Sequence, residues 1–279
     1  MSKLKITLID VGWGDSILIE SIDSNNETHY AFIDSNDSQY LRSSYIFLKR
    51  HFEKAGIDIA NEKPIFDFVL LSHAHSDHAQ GLKAIMREFG TKYFYYPKSI
   101  NWTSFISLIR YAGRSSNVNW HQAIDSTNVL PDLGDAKLEI FWPEYNRIDR
   151  NNENNNSIVI QITLSDKSFI LTGDAEDHVW SNIASKLPPD PYFFKVPHHG
   201  SINGAFYGGN ISNPCWINNL SGTTIIGISS HVKPHKHPHK DVIDLFKARH
   251  YEIFRTDTYY HLTYEFDGTT LKHVLKYSH

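Results

Sequence analysis

The stretch LSHAHSDHAQG, residues 71–81, places three histidines and an aspartate within six positions. An apolar run, IFDFVLLS (65–72), precedes it and reads as a buried strand. Leu82, Ile85, Met86 and Phe89 follow at helical spacing and are closed by Gly90. The chain is therefore expected to leave a buried strand, cross a loop of ligand-type side chains and enter a helix. His73 and His75 are two apart, so in extended backbone they point the same way. Asp77 and His78 follow as the chain turns. Two imidazoles can bind one metal ion, and the next Asp and His a second, at the separation of about 3.5–4 Å usual for paired metals.

The rest of the chain alternates strand-like and helix-like segments. Short β-branched or aromatic runs at 3–9, 16–20 and 29–34 read as strands, and Leu41, Tyr45, Leu48 and Phe52 as a helix over 40–55 stopped by Gly56. A strand at 92–97 and a helix at 103–112 follow, and the polar residues 114–135 read as a surface excursion. Strands are expected again at 136–143, 157–164 and 167–173, then a helix at 176–187 and strands at 192–197 and 223–229. A helix near 240–250 and strands at 260–266 and 271–276 close the chain. The Asn-rich segment 146–157 lies between strands and reads as a loop, so residues 1–279 are taken as one domain. Two mixed sheets with helices outside would fit this order.

Bulk properties exclude several classes. The net charge of −4 gives no global basic field for nucleic acid or anionic membrane, so any phosphate preference must come from a local site. The single cysteine, Cys215, cannot form an internal disulfide. No run approaches the roughly 18–20 apolar residues of a membrane span, and the first residues do not read as a signal peptide. A soluble cytoplasmic protein without membrane partners is expected. The 17 histidines are abundant and clustered, at 73–78, 198–199 and 231–239.

HAHSDH resembles the HxHxDH signature of the metallo-β-lactamase fold. LIDVGWGDSILIE, AFIDSND, NNNSIVIQI, SFILTGDAE, FKVPHHGS and KHPHKDVI occur in the order seen in the soluble metallo-hydrolase domain of ComEC, the DNA-uptake channel, and its free-standing relatives. IFRTDTYYHLTYEFDG looks like that family's closing strands. The resemblance spans nearly the whole chain. It implies an α+β fold, an αβ/βα four-layer sandwich with a two-metal site at one edge, and does not imply β-lactamase activity.

The resemblance also implies roles. Asp174 matches the Asp that bridges both metals, as a carboxylate with two oxygens can. One of His198 and His199 completes the second metal. Adjacent side chains on extended backbone diverge, so His199 is expected as the ligand and His198 as a contact to substrate or leaving group. Many relatives carry a further histidine where this chain offers Asn156, which leaves His73, His75 and Asp174, with solvent or Asn156, for the first metal. Such an open site suits hydrolysis, and its ligands suit Zn2+ or Mn2+. His237 matches the first His of the family's GHPH segment. With Lys236 and Lys240 it either holds a phosphate and protonates a leaving oxygen, or belongs to a solvated loop. Trp13, where the family often has Gln, is a stacking platform for a base or a core aromatic. Asp34 is expected to support a ligating histidine, and Asp10 and Asp15 to be structural.

The expected protein is a hydrolase whose two divalent metals acidify a shared water from a pKa of 15.7 to about 7, with Asp77, His198 and His237 in the catalytic centre. The resemblance favours phosphodiesters, nucleic acid or nucleotide, as substrate. An ester or lactone hydrolase and a metal-stabilised non-catalytic subunit remain the alternatives.

Overall fold

The structure is a computed structural model, described here for residues 1–99, 103–269 and 271–275. Fourteen strands are present among these residues: β1 (Lys3–Leu8), β2 (Ile17–Ile22), β3 (Thr28–Ile33), β4 (Phe66–Leu70), β5 (Thr91–Pro97), β6 (Val118–Ile124), β7 (Lys137–Trp142), β8 (Val159–Leu164), β9 (Lys167–Leu171), β10 (Phe193–Lys195), β11 (Ile225–Ile228), β12 (Ile253–Arg255), β13 (Leu262–Phe266) and β14 (Leu271–Leu275). The α-helices are α1 (Ser43–Ala55), α2 (Ser76–Ala79), α3 (Leu82–Phe89), α4 (Thr103–Ala112), α5 (Asp177–Ile183), α6 (Ile202–Ala205), α7 (Lys240–Ala248) and α8 (Thr256–Tyr259). One sheet runs β14-β13-β1-β2-β3-β4-β5-β6 and the other β12-β11-β10-β9-β8-β7.

The period-two side-chain pattern of the strands builds the layers. Ile17 and Ile19 of β2 point between the sheets, where they join Ile160, Ile162, Phe169 and Phe193 of the second sheet. Leu18 faces the other way and packs with Phe32, Leu48, Phe52, Met86 and Phe89 under α1 and α3. On the far side Ile170 and Phe194 face outward against Val179, Trp180, Trp216, Val242 and Phe246, under α5 and α7. Three apolar interfaces thus separate four layers, the αβ/βα sandwich.

The second half of each sheet is parallel: β3, β4, β5 and β6 in one, β9, β10, β11 and β12 in the other. Loops leaving the C-terminal ends of β3, β4, β9, β10 and β11 carry Asp34, the 73–78 segment, Asp174, His198–His199 and the 231–239 segment. Carboxyl ends of parallel strands are where open α/β sheets gather ligands.

Three expectations need correction. The supposed excursion 114–135 contains β6, an edge strand of which only Val118 and Ile124, its two ends, are buried. Its middle is solvated and polar, so it lacks the apolar pattern of a central strand. The helix expected after the histidine loop is two pieces, α2 and α3, separated at Gln80–Gly81. Gly81 lies so close to Ser35 that a Cβ would stand 2.1 Å from its hydroxyl oxygen. The helix expected over 176–187 ends at Ile183 and continues as a 3-10 turn. Residue 276 of the expected last strand lies outside the described residues. No helix among the described residues is long and apolar enough to cross a membrane.

Candidate metal centre

Asp174 follows β9 and is 2% exposed. Its Oδ2 is the point on which the histidines converge. His199 Nε2 lies 3.3 Å away, His78 Nε2 3.4 Å, His198 Nε2 3.8 Å and His73 Nε2 3.9 Å. Asp77 reaches the same space from the other side, with Oδ2 3.8 Å from His78 Nε2 and 4.0 Å from His199 Nε2. His75 Nδ1 stands 3.0 Å from His73 Nε2. The donor atoms of His73, His78 and Asp174, and those of Asp77, His78 and His199, form two groups compact enough to hold a metal ion.

Three of the rings have a partner behind them. His78 Nδ1 meets Asp34 Oδ2 at 2.7 Å, and Asp34 in turn accepts from the Ser72 amide at 2.7 Å and the Ser72 hydroxyl at 2.6 Å. His199 Nδ1 meets the Ser229 carbonyl at 2.9 Å. His198 Nδ1 lies 3.0 Å from Glu176, whose two carboxylate oxygens accept from Asn154 and Asn152. Binding one ring nitrogen back onto an acceptor presents the other as a lone pair, which is how proteins prepare metal-ligating imidazoles.

His78 Nε2, His199 Nε2 and Asp174 Oδ1 are buried without hydrogen bonds. Orphaned buried polar atoms are costly, and here they converge. The charges agree. Burial opposes a positive charge on His78, yet Asp174, Asp34 and Asp77 outweigh it and hold the ring well above its ordinary pKa. Burial opposes charge on Asp174 as well, but His199, His78 and His198 hold its carboxyl well below the usual range. His73 and His75 go the other way: burial, first of all, holds both rings below the ordinary imidazole value.

The neighbouring histidines behave differently from expectation. His198 and His199 are not extended; both are left-handed, with φ of 47° and 53°. The divergence expected of extended neighbours is lost, and both rings turn their Nε2 towards Asp174. Two successive non-glycine residues in this region store strain of about 1–3 kcal/mol each, which surrounding structure must impose.

The cleft over these atoms encloses about 400 Å³ and is lined by Trp13, His75, Ser76, Asp77, Asn154, Asp174, His198 and His235. Trp13 belongs to none of the apolar clusters of the core. Its ring stands 4.6 Å from that of His199, 4.5 Å from His235 and 5.3 Å from His237. Gly14 permits this approach: its φ is 100°, and a Cβ there would stand 2.2 Å from the Asp77 carbonyl oxygen.

Other candidates lie elsewhere. Asn156 is 1% exposed. Its amide is spent on the Asp149 backbone and Glu153, so it organises the loop and offers nothing to a metal or substrate. Lys240 is 81% exposed and paired with Asp244 one turn along α7, and Lys236 is exposed; neither lines the cleft. His237 sits near it, its ring 5.8 Å from that of His198. Burial, reinforced by His198, His199 and His235, pulls its pKa down to about 4. It is neutral at pH 7 and is not the cation expected from the sequence. Conversely, Asn154, Ser76 and His235 line the cleft, and Glu176 and Glu153 brace it, without having been singled out. Glu176 stood two residues beyond Asp174, and Asn154 was hidden among interchangeable asparagines.

A strand–loop–helix carrying histidines over a buried aspartate between two sheets is an arrangement that could hold metal ions. The chain belongs to the metallo-beta-lactamase superfamily, whose family model matches residues 66–206. It is 25% identical over 263 residues to ComE operon protein 3 of Bacillus subtilis (strain 168), covering 92% of this chain and 32% of that protein. The chain thus spans about a third of that relative's length. The metallo-beta-lactamase fold protein YhfI from Bacillus subtilis superposes with a TM-score of 0.56 at 12% identity, over 94% of this chain and all of that one. Unliganded yeast PDE1 gives 0.55 at 13% identity, over 91% and 98%. At these identities the two structures speak for the fold. The fold is one that binds divalent metals.

Proposed function

We propose that this protein is a two-metal hydrolase of phosphodiester bonds, in nucleic acid or a nucleotide. The observation that carries the reading is the convergence of the His78 and His199 Nε2 atoms, each ring fixed through Nδ1, on the buried Asp174 carboxylate, whose Oδ1 makes no hydrogen bond. His73, His75 and Asp174 would hold one metal, and Asp77, His78, Asp174 and His199 the other, as Zn2+ or Mn2+. When bound, such a pair supplies a water acidified towards neutral pH and a cationic partner for a phosphoryl oxygen.

The chain's own residues supply the rest. Asp34 and the Ser229 carbonyl fix His78 and His199. Glu176 fixes His198, which points Nε2 into the cleft and contacts the substrate or its leaving oxygen. Trp13, flanked by His235 and His237, offers a flat face for a base. The cleft of about 400 Å³ is of a size to take a nucleotide-sized group. A cytoplasmic location, and a single domain over residues 1–279, are part of the same proposal.

One observation favours a second reading. Among the described residues the cleft lining contains no lysine or arginine, and a neutral carboxylic ester or lactone needs none. The discriminating experiment compares bis(p-nitrophenyl) phosphate, single-stranded DNA, cyclic nucleotides and p-nitrophenyl acetate with added Mn2+ or Zn2+. Phosphodiester turnover well above ester turnover supports the first reading; the reverse order replaces it with the second.

A further inference from the structure

A larger cavity, about 770 Å³, opens on the outer face of the first sheet beside α1. Its floor follows from register. Lys5 of β1 is opposite Glu20 of β2, Glu20 is opposite Tyr30 of β3, and Ile22 is opposite Thr28. One wall is a face of α1, where Ile46, Arg50 and Lys54 stand at i, i+4 and i+8, next to the buried Ser44, Leu48 and Phe52. Tyr40, Leu41, Arg42, Tyr260 and His261 complete the lining.

Two properties set this cavity apart. Among the described residues its lining holds Lys5, Arg42, Arg50 and Lys54 and one carboxylate, Glu20, which lies 3.1 Å from His51 Nε2; Glu265 of β13 stands opposite Lys5. In a chain of net charge −4 this is a concentrated local excess of cations. It also exposes apolar surface: Tyr40 is 93% exposed, Tyr260 52%, and Leu41 and Ile46 47% each. Cations tracking a backbone beside flat aromatic faces are what an unpaired nucleic-acid strand requires; a duplex hides its base faces.

Hydrogen bonds link the segment that carries Trp13 to segments that reach the cavity. The Asn36 side chain donates to the Trp13 carbonyl, and the segment from Asn36 runs on to Tyr40. The Asp10 amide donates to His261 Nδ1 at 2.9 Å. Trp13 lines the cleft, and Tyr40 and His261 line the cavity, so these hydrogen bonds tie the segment that carries Trp13 to segments that reach the cavity.

We infer that this cavity binds single-stranded nucleic acid, holding the stretch of chain that flanks the bond presented to the metal centre. The choice of ligand rests on the phosphodiester reading; the location rests on the cavity alone. The test is fluorescence anisotropy with an end-labelled oligothymidylate of about 12 nucleotides, in EDTA so that no hydrolysis occurs, over a salt series. Arg50→Glu with Lys54→Glu should weaken binding by roughly tenfold or more and flatten the salt dependence. Tyr40→Ala should weaken it by roughly five- to a hundredfold, as for loss of one stacked base. All these side chains are exposed, so thermal unfolding should be unchanged, as should turnover of bis(p-nitrophenyl) phosphate, which is too small to span both sites. Wild-type protein that ignores the oligonucleotide, binds duplex equally well, or binds undiminished after these substitutions would overturn the inference. Failure of the metal-centre reading would show instead as loss of small-ester turnover with oligonucleotide binding intact.

Discussion

The Lys195 ammonium and the Asp15 carboxylate form an ion pair buried to 0% and 1% exposure directly behind the metal centre. Asp15 Oδ1 stands 3.7 Å from His199 Nδ1, and Lys195 also donates to the Gly173 carbonyl at 3.2 Å, one residue before Asp174. The pair thus ties β10 to the segments that carry two of the converging side chains.

Breaking such a pair leaves a charge stranded in the interior, at a cost of about 3–5 kcal/mol. Lys195→Met and Asp15→Asn should each destabilise the metal-free protein by that order, and the double variant by less than the sum. Urea unfolding in EDTA measures all three; strict additivity would mean that the two side chains do not act as a pair.

Asp149 provides a pH test away from the centre. Burial pushes its pKa up, but the Asn155 side chain and the amides of Asn151 and Asn152 outweigh it and leave the carboxyl below its ordinary value. A group lowered by folding stabilises above its unfolded pKa, about 4, and loses that contribution as pH falls through the folded value. The stability gap between wild type and Asp149→Asn should therefore be full at neutral pH and close on acidification. A gap that stays constant down to acid would show that the carboxylate charge contributes nothing.

His237, with its pKa near 4, is neutral at working pH. His237→Ala should reduce kcat by a similar factor on phosphodiesters with poor and good leaving groups, because a neutral ring positions rather than protonates. A loss confined to the poor leaving group would instead identify it as the general acid.

Glu176→Gln should loosen His198 and lower turnover about tenfold or more, with metal content unchanged. Elemental analysis alongside kinetics separates the roles. Loss of a metal from Glu176→Gln or His198→Ala would make His198 a ligand rather than a substrate contact.

Much of this was legible because it is local. The 73–78 motif, the strand before it and the helical spacing after it are neighbours in sequence, and β4 and α3 lie close to their expected bounds. Asp174 and the two histidines ended strands whose apolar runs were plain. The misreadings were tertiary. The left-handed backbone at His198 and His199 is imposed by surroundings that no spacing reveals. The seclusion of Asn156 depends on hydrogen bonds to Asp149 and Glu153. The Lys236 and Lys240 side chains were assigned by proximity in sequence to His237, whereas α7 turns Lys240 towards Asp244. Strand β6 was missed because an edge strand has little apolar pattern to show.

The central claim is tested most directly by titrating metal-free protein with Mn2+ or Zn2+ and following hydrolysis of bis(p-nitrophenyl) phosphate against metal bound per chain. The two-metal reading requires little activity at one equivalent, a rise as the second binds and a plateau at two, with Asp174→Asn binding fewer metals and losing most turnover. No phosphodiester hydrolysis at any loading, a plateau at one equivalent, or full metal content and activity in Asp174→Asn would contradict it.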